Sequence, residues 1–331
     1  MSFAKITGQK LAIEILKNSI RQDRLSHAYL FSGASGTEKK LTAVEFAKAI
    51  NCEVKQKDSC DSCLSCRKID NSNHPDIKFI NPEGNYLKID MIRNMQREII
   101  YKPYESNKKI YIINNVELLT IEAANSLLKI LEEPPEYMIL ILLTDNIKQL
   151  LPTIISRCQI IRFNKITKKL VIDKLIDNYN LVDDKAKLIA NLAGGRFDKA
   201  IELVENDDLL LTRNNFVEFI IALNKEDLIK LFVIVEKISD YKDQIASFFE
   251  VCLSFYRDLL FIKLEQDDLI INFDYLADLK AISNNYQLHN LEQAINIIED
   301  TNNIIRSKNV NLKLTLESLF ISLRDLGGEI K

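Results

Sequence analysis

The sequence lacks any apolar run long enough to cross a bilayer. Its longest, such as residues 138–143, have only the length of a strand. It also lacks a basic excess: 44 Lys and Arg against 47 Asp and Glu leave a formal net charge of -3. A chain that binds nucleic acid unaided is usually basic, because neutralising phosphate supplies most of that affinity. Any contact with DNA is therefore expected to rest mainly on other chains. The opening residues contain no apolar stretch of signal-peptide type, so the expected compartment is the cytoplasm, with no membrane association. No internal repeat or low-complexity tract is visible. Beyond about residue 208 there is no proline, and the only glycines are Gly327 and Gly328. What is present suits a globular protein: 331 residues, 47% hydrophobic and 27% charged, enough for two or three domains with cores of their own.

The first half alternates short apolar runs, at residues 28–31, 76–80, 110–113, 138–144 and 159–163, with helical spacing. Leu11, Ile15 and Leu16 show that spacing, as do Leu127, Ile130 and Leu131. Strands alternating with helices predict a mostly parallel sheet covered on both faces. After about residue 165 strand signals stop. Residues 167–205 read as short helices broken at Gly194-Gly195, and the rest as long amphipathic helices. The expected division is an α/β domain over 1–165, a helical lid over 166–207 and an all-α domain over 208–331.

Residues 33–40 read Gly33-Ala34-Ser35-Gly36-Thr37-Glu38-Lys39-Lys40, between a strand and a helix expected from about Leu41. A phosphate-binding loop has this setting and the pattern G-x-x-x-x-G-K-[ST]. Gly33 and Lys39 fit, with Gly36 between them. Glu38 takes the place of the second glycine and puts a negative charge where backbone N–H groups would meet phosphate. Lys40 replaces the hydroxyl that would ligate magnesium. At the end of the 110–113 strand, Asn114 and Asn115 stand where a hydrolase carries Asp and Glu, and an amide is neither a metal-organising anion nor a general base. The residues therefore predict a degenerate nucleotide site that turns over no ATP and is not expected to bind it, while idle retention of a nucleotide stays open.

Cys52, Cys60, Cys63 and Cys66 form a C-x7-C-x2-C-x2-C cluster among polar residues. In a reducing compartment four thiolates so spaced predict one tetrahedral zinc, bound at residues 52–66. His74, eight residues beyond Cys66, is read as part of the turn into the next strand. Cys158 and Cys252 are read as ordinary buried thiols in strand or helical surroundings.

Four blocks carry a family resemblance. They are Ile6-Thr7-Gly8-Gln9, the first-strand lead-in Arg24-Leu25-Ser26-His27-Ala28-Tyr29-Leu30-Phe31, the run Ala124-Asn125-Ser126-Leu127-Leu128-Lys129-Ile130-Leu131-Glu132-Glu133-Pro134-Pro135, and Pro152-Thr153-Ile154-Ile155-Ser156-Arg157-Cys158 with its Ser-Arg-Cys motif. In this order across the first 160 residues they resemble the AAA+ clamp-loader subunits of bacterial DNA polymerase III. The resemblance implies a five-stranded parallel P-loop-type sheet, a helical lid and a C-terminal collar domain, and it agrees with a zinc module after the first helix. The motor subunits tau and gamma keep intact Walker motifs, whereas delta-prime commonly has degenerate ones. Glu38, Lys40, Asn114 and Asn115 therefore point to a non-hydrolysing subunit of the delta-prime kind. Asp198, in Gly195-Arg196-Phe197-Asp198, stands where the motor's phosphate-sensing arginine would be. The resemblance further implies that Arg157, oriented by Ser156, reaches in trans to ATP held by a neighbour. The implied partners are the tau/gamma motor subunits and delta, with the sliding clamp and primed DNA reached through the assembly. The rival readings are an active tau/gamma-type ATPase and a stand-alone zinc-dependent nucleic-acid-binding protein. The altered Walker residues argue against the first, and the acidic balance against the second.

Overall fold

The computed structural model describes every residue except Met1, 55–57, Asn85, 226–227, Asp240, Asn309 and 328–331. Lys55, Gln56 and Lys57 between the first two cysteines, and Gly328 of the tail pair, thus lie outside the described residues. The chain divides into two compact units. One comprises Met1–Lys174 with Gly195–Lys199, the other Leu175–Gly194 with Ala200–Lys331. The residues expected to form a separate lid are shared between them.

In the first unit, β1 (Ala28–Ser32), β2 (Ile77–Ile80), β3 (Lys109–Ile113), β4 (Met138–Thr144) and β5 (Gln159–Arg162) form one sheet in the order β2-β3-β4-β1-β5. Every pairing is parallel. All seven residues of β4 are buried, as a central strand covered on both faces requires. Alternation sends Tyr29, Phe31, Ile110, Ile112, Ile139 and Ile141 to one core, shared with α1 (Lys10–Arg21), α2 (Lys39–Asn51) and α3 (Leu64–Asp70). Leu30, Tyr111, Ile113, Leu140 and Leu142 face the other, under α4 (Ile89–Ile99), α5 (Ile121–Glu132) and α6 (Pro152–Ile155). The Thr120 hydroxyl caps α5 by accepting from Ala123 N–H at 3.3 Å, and Pro134 and Pro135 follow its end. Pro152 opens α6.

One expectation needs correction. Asp76 does not begin β2. Its buried carboxylate instead accepts from the backbone N–H groups of Tyr104, Glu105 and Ser106 at 2.7, 2.9 and 2.9 Å, which pins the loop before β3. Burial pushes its pKa up, but these bonds outweigh that and hold it below the usual range. Leu11 belongs to α1 but is exposed, and Ala12 and Leu16 carry that helix's buried face.

Helix α7 (Lys168–Tyr179) is followed by α8 (Asp183–Ala193), which ends at Gly194 with a φ of 59°. Then come α9 (Phe197–Glu205), α10 (Asp207–Lys225), α11 (Leu228–Ser239), α12 (Ile245–Lys263), α13 (Leu276–Ser283), α14 (Leu288–Ser307) and α15 (Leu312–Leu326). The second unit's core gathers Phe216, Phe248, Phe249, Phe255 and Phe320. Phe248 meets Phe216 and Phe320 edge to face at 5.4 and 5.9 Å. Among the described residues no helix is long and apolar enough to cross a membrane.

Candidate functional site

The remnant loop leaves β1 beside β4. Ser32 pairs with Thr144, and Gly33 N–H donates to the Thr144 carbonyl at 3.3 Å. A Cβ on Gly33 would lie 2.4 Å from the Phe163 carbonyl oxygen, so only glycine fits there. Gly36 has a φ of 74°, and a Cβ on it would meet Asp198 Oδ1 at 2.3 Å. Glu38 adopts the left-handed conformation that glycine favours, with a φ of 61°. Its carboxylate accepts the Thr7 N–H. Burial lifts its pKa to about 7, against the Thr7 bond and Lys174, with Asp198 adding to the rise.

Lys39 is buried. Its ammonium donates to the Gly33 and Ala34 carbonyls, both at 2.7 Å, and pairs with Asp145 Oδ1 at 2.8 Å. Asp145 follows β4 directly, and its N–H donates to Glu117 Oε1 at 3.2 Å. Asn114 donates its amide to Asn81, and Asn115, at a φ of 49°, donates to Glu117 Oε1 at 3.4 Å. Three carboxylates, those of Glu38, Asp145 and Asp198, therefore border a loop whose lysine is already engaged. Sequence reasoning missed Asp145. The available signal was a polar residue at the carboxyl end of a buried strand, where sites of open α/β sheets lie, but its nearness to Lys39 follows only from the β1–β4 register.

Cys52 ends α2 and Cys63 opens α3. Cys60 Sγ accepts from Cys63 N–H at 3.2 Å, and Cys63 Sγ from Cys66 N–H at 3.4 Å. The four sulfurs lie within 4.8 Å of one another, and Cys60 and Cys66 are 4.0 Å apart. A tetrahedral zinc with bonds of about 2.3 Å places its sulfurs roughly 3.8 Å apart, so the cluster fits that ion. The Ser62 hydroxyl and the Cys63 N–H hold the Cys60 thiol down at about 6, whereas burial raises Cys52 and Cys66. His74 stands outside the cluster, turned to the Ser65 hydroxyl at 3.3 Å and to Asp76 N–H at 3.2 Å.

Sequence reasoning also missed Lys48 of α2. Its fully buried ammonium lies 2.6 Å from Asp61, 2.8 Å from Asp70 and 3.3 Å from Glu45. Asp61 sits between Cys60 and Cys63, and Asp70 ends α3, so an ion cluster around the buried Lys48 bolts the cysteine module to α2. Burial opposes the Asp61 charge, but Lys48 and Ser59 hold its pKa down at about 2.

Arg157 lies in the turn between α6 and β5. Its guanidinium donates to the Thr153 carbonyl at 3.0 Å and pairs with Glu132 at 2.8 Å, with about a third (35%) of the side chain exposed. The Ser156 hydroxyl bonds back to the Thr153 carbonyl at 3.2 Å. Cys158 is half-buried in this turn rather than in a strand, and burial raises its thiol to about 12. Cys252 is buried in α12.

A parallel sheet in this order, with a loop of phosphate-loop setting at the carboxyl end of β1, defines an AAA+-type P-loop domain. A family model described as "DNA polymerase III, delta subunit" matches residues 8–167, and one described as "DNA polymerase III, delta subunit, C terminal" matches residues 207–325. DNA polymerase III subunit delta' of Bacillus subtilis (strain 168) is 33% identical over 96% of both chains. DNA polymerase III subunit tau of the same organism is 38% identical over 61% of this chain and 37% of its own. A DNA polymerase III gamma subunit-related protein of Thermotoga maritima superposes with a TM-score of 0.53 at 21% identity, over 96% of this chain and 100% of that one, a likeness of fold. The chain belongs to the DNA polymerase III delta-prime subunit family.

Proposed function

We propose that this chain is the non-hydrolysing stator of a sliding-clamp loader. In this reading it donates Arg157 to ATP held by a neighbouring motor subunit while the clamp is opened and placed on primed DNA. The observation that carries this is a contrast within one domain. The chain's own loop has Lys39 engaged by Asp145 and amides at Asn114 and Asn115, while Arg157 is intact and partly exposed in its turn. An arginine finger has no catalytic use at a dead site, so its target is ATP on another chain. The pair with Glu132 does not oppose this, because an exposed ion pair contributes only about 0–1 kcal/mol and releases readily. The partners are tau/gamma-type motor subunits and delta. Residues 166–207 act as the lid, residues 208–331 form the collar domain, and the assembly works in the cytoplasm.

Cys52, Cys60, Cys63 and Cys66 hold one zinc, which supplies a structural cross-link and no chemistry. The isolated chain turns over no ATP. Turnover that disappears in Lys39→Ala would overturn this reading in favour of an active motor. In loaders reconstituted with motor subunits, delta and clamp, Arg157→Ala assembles normally by gel filtration. It loses clamp- and DNA-stimulated hydrolysis at the one site it faces, because the finger acts on transition-state charge. Arg157→Lys restores little, since an ammonium lacks the planar fork. An alanine complex that forms and loads clamps at the wild-type rate would show Arg157 to be structural.

A further inference from the structure

We infer that Asp145 is a built-in substitute for a nucleotide phosphate: its carboxylate completes the Lys39 ammonium and keeps the remnant loop folded without any ligand. This rests on the reading of the chain as non-hydrolysing and assigns a cause to the loop's state.

An ammonium has three hydrogens, and Lys39 meets three close acceptors, the Gly33 carbonyl, the Ala34 carbonyl and Asp145 Oδ1, at 2.7, 2.7 and 2.8 Å. No donor remains for a phosphate oxygen. The side chain is only 7% exposed, and a buried charge requires an opposite partner. In a working phosphate loop the nucleotide supplies it. Here the sheet supplies it: parallel pairing sets Ser32 against Thr144, so the residues that follow the two strands, Gly33 and Asp145, emerge side by side.

Asp145 is itself held in place. Its N–H donates to Glu117 Oε1. The next residue is fixed by Asn146 N–H donating to the Thr144 hydroxyl at 3.1 Å and by Lys148 N–H donating to Asn146 Oδ1 at 3.1 Å. Glu38 and Asp198 are not among the partners of Lys39: Glu38 accepts from Thr7, and Asp198 stands against Gly36. They add repulsion to an incoming phosphate, but Asp145 occupies the lysine.

The test uses the full chain and inorganic triphosphate as probe, at low ionic strength, reading amide hydrogen exchange over residues 33–40. Asp145→Asn keeps the shape and removes the charge at a partly exposed position, so the chain folds. In Asp145→Asn the loop exchanges at least about tenfold faster than wild type. Triphosphate slows it again, more so in Asp145→Asn/Glu38→Gln, where repulsion is reduced. It has no effect on wild type or on Asp145→Asn/Lys39→Met. The inference is overturned if the Asp145→Asn loop exchanges like wild type, if triphosphate protects wild type equally, or if it protects neither charge-removed variant. ATP turnover by the wild-type chain would instead overturn the non-hydrolysing reading, so the two failures are distinguishable.

Discussion

Glu38 shows how much a single side chain in the loop can do. Its backbone retains the φ of 61° that glycine adopts freely, and its side chain turns back to Thr7 in partly buried surroundings that raise its pKa from 4.5 to about 7. Between those values the folded chain binds a proton that the unfolded chain has released. Stability therefore falls as pH rises from 4.5 to about 7 and levels off above. Glu38→Gln, which never ionises, is expected to flatten this part of the pH profile and to be the more stable chain at pH values above about 7. Urea unfolding of both chains across the window checks this, and parallel profiles would refute it. The replaced glycine was legible in the sequence because the loop pattern has fixed spacing. The return of the carboxylate to Thr7, thirty-one residues away, was not, because no local pattern encodes it.

At the scale of elements, the five strands lie close to where apolar runs placed them, since a strand covered on both faces must be apolar throughout. The failures came where a polar residue borders such a run: Asp76 serves a loop and not β2. The cysteine module was equally legible, but its attachment was not. Lys48 occupies a helix position that nothing in the sequence marks as an ion cluster. Lys48→Met leaves Glu45 and Asp61 only Lys5, at 4.0 and 3.5 Å, and is expected to lower stability by about 3 kcal/mol, the low end for breaking a buried pair, because Asp61 and Asp70 are partly solvated. Equilibrium unfolding measures this, and a loss under about 1 kcal/mol would show that the cluster contributes little. Native protein is expected to carry one zinc per chain, which Cys63→Ser/Cys66→Ser loses. Similar zinc content in that double variant would rule out the assigned ligands.

For the whole molecule, the two units have separate cores, one built on both faces of the sheet and one on interlocked aromatic rings of α10, α12 and α15. Phe248 is fully buried against Phe216, Phe249 and Phe320. Phe248→Ala is expected to destabilise the helical unit by about 3–5 kcal/mol through the cavity it opens. Zinc content, a property of the sheet-containing unit, should remain at the wild-type level under native conditions. Metal analysis beside thermal melting separates the two, and zinc lost in step with the helical unit would contradict separate cores. The helical unit's role was the least legible part, because amphipathic helices reveal which face is buried but not what they assemble with.

The sequence by itself determined the fold class, the strand positions and the gathering of Cys52, Cys60, Cys63 and Cys66 in one module. Each of these is written in spacing along the chain, which sterics translate directly into structure. Only the tertiary structure decided that Asp145 meets Lys39, that Lys48 ties the cysteine module to α2, and that Arg157 rests on Glu132. Those partners are 106, 13 or 22, and 25 residues apart, and pairings across such distances are set by strand register and helix packing, which local pattern does not specify.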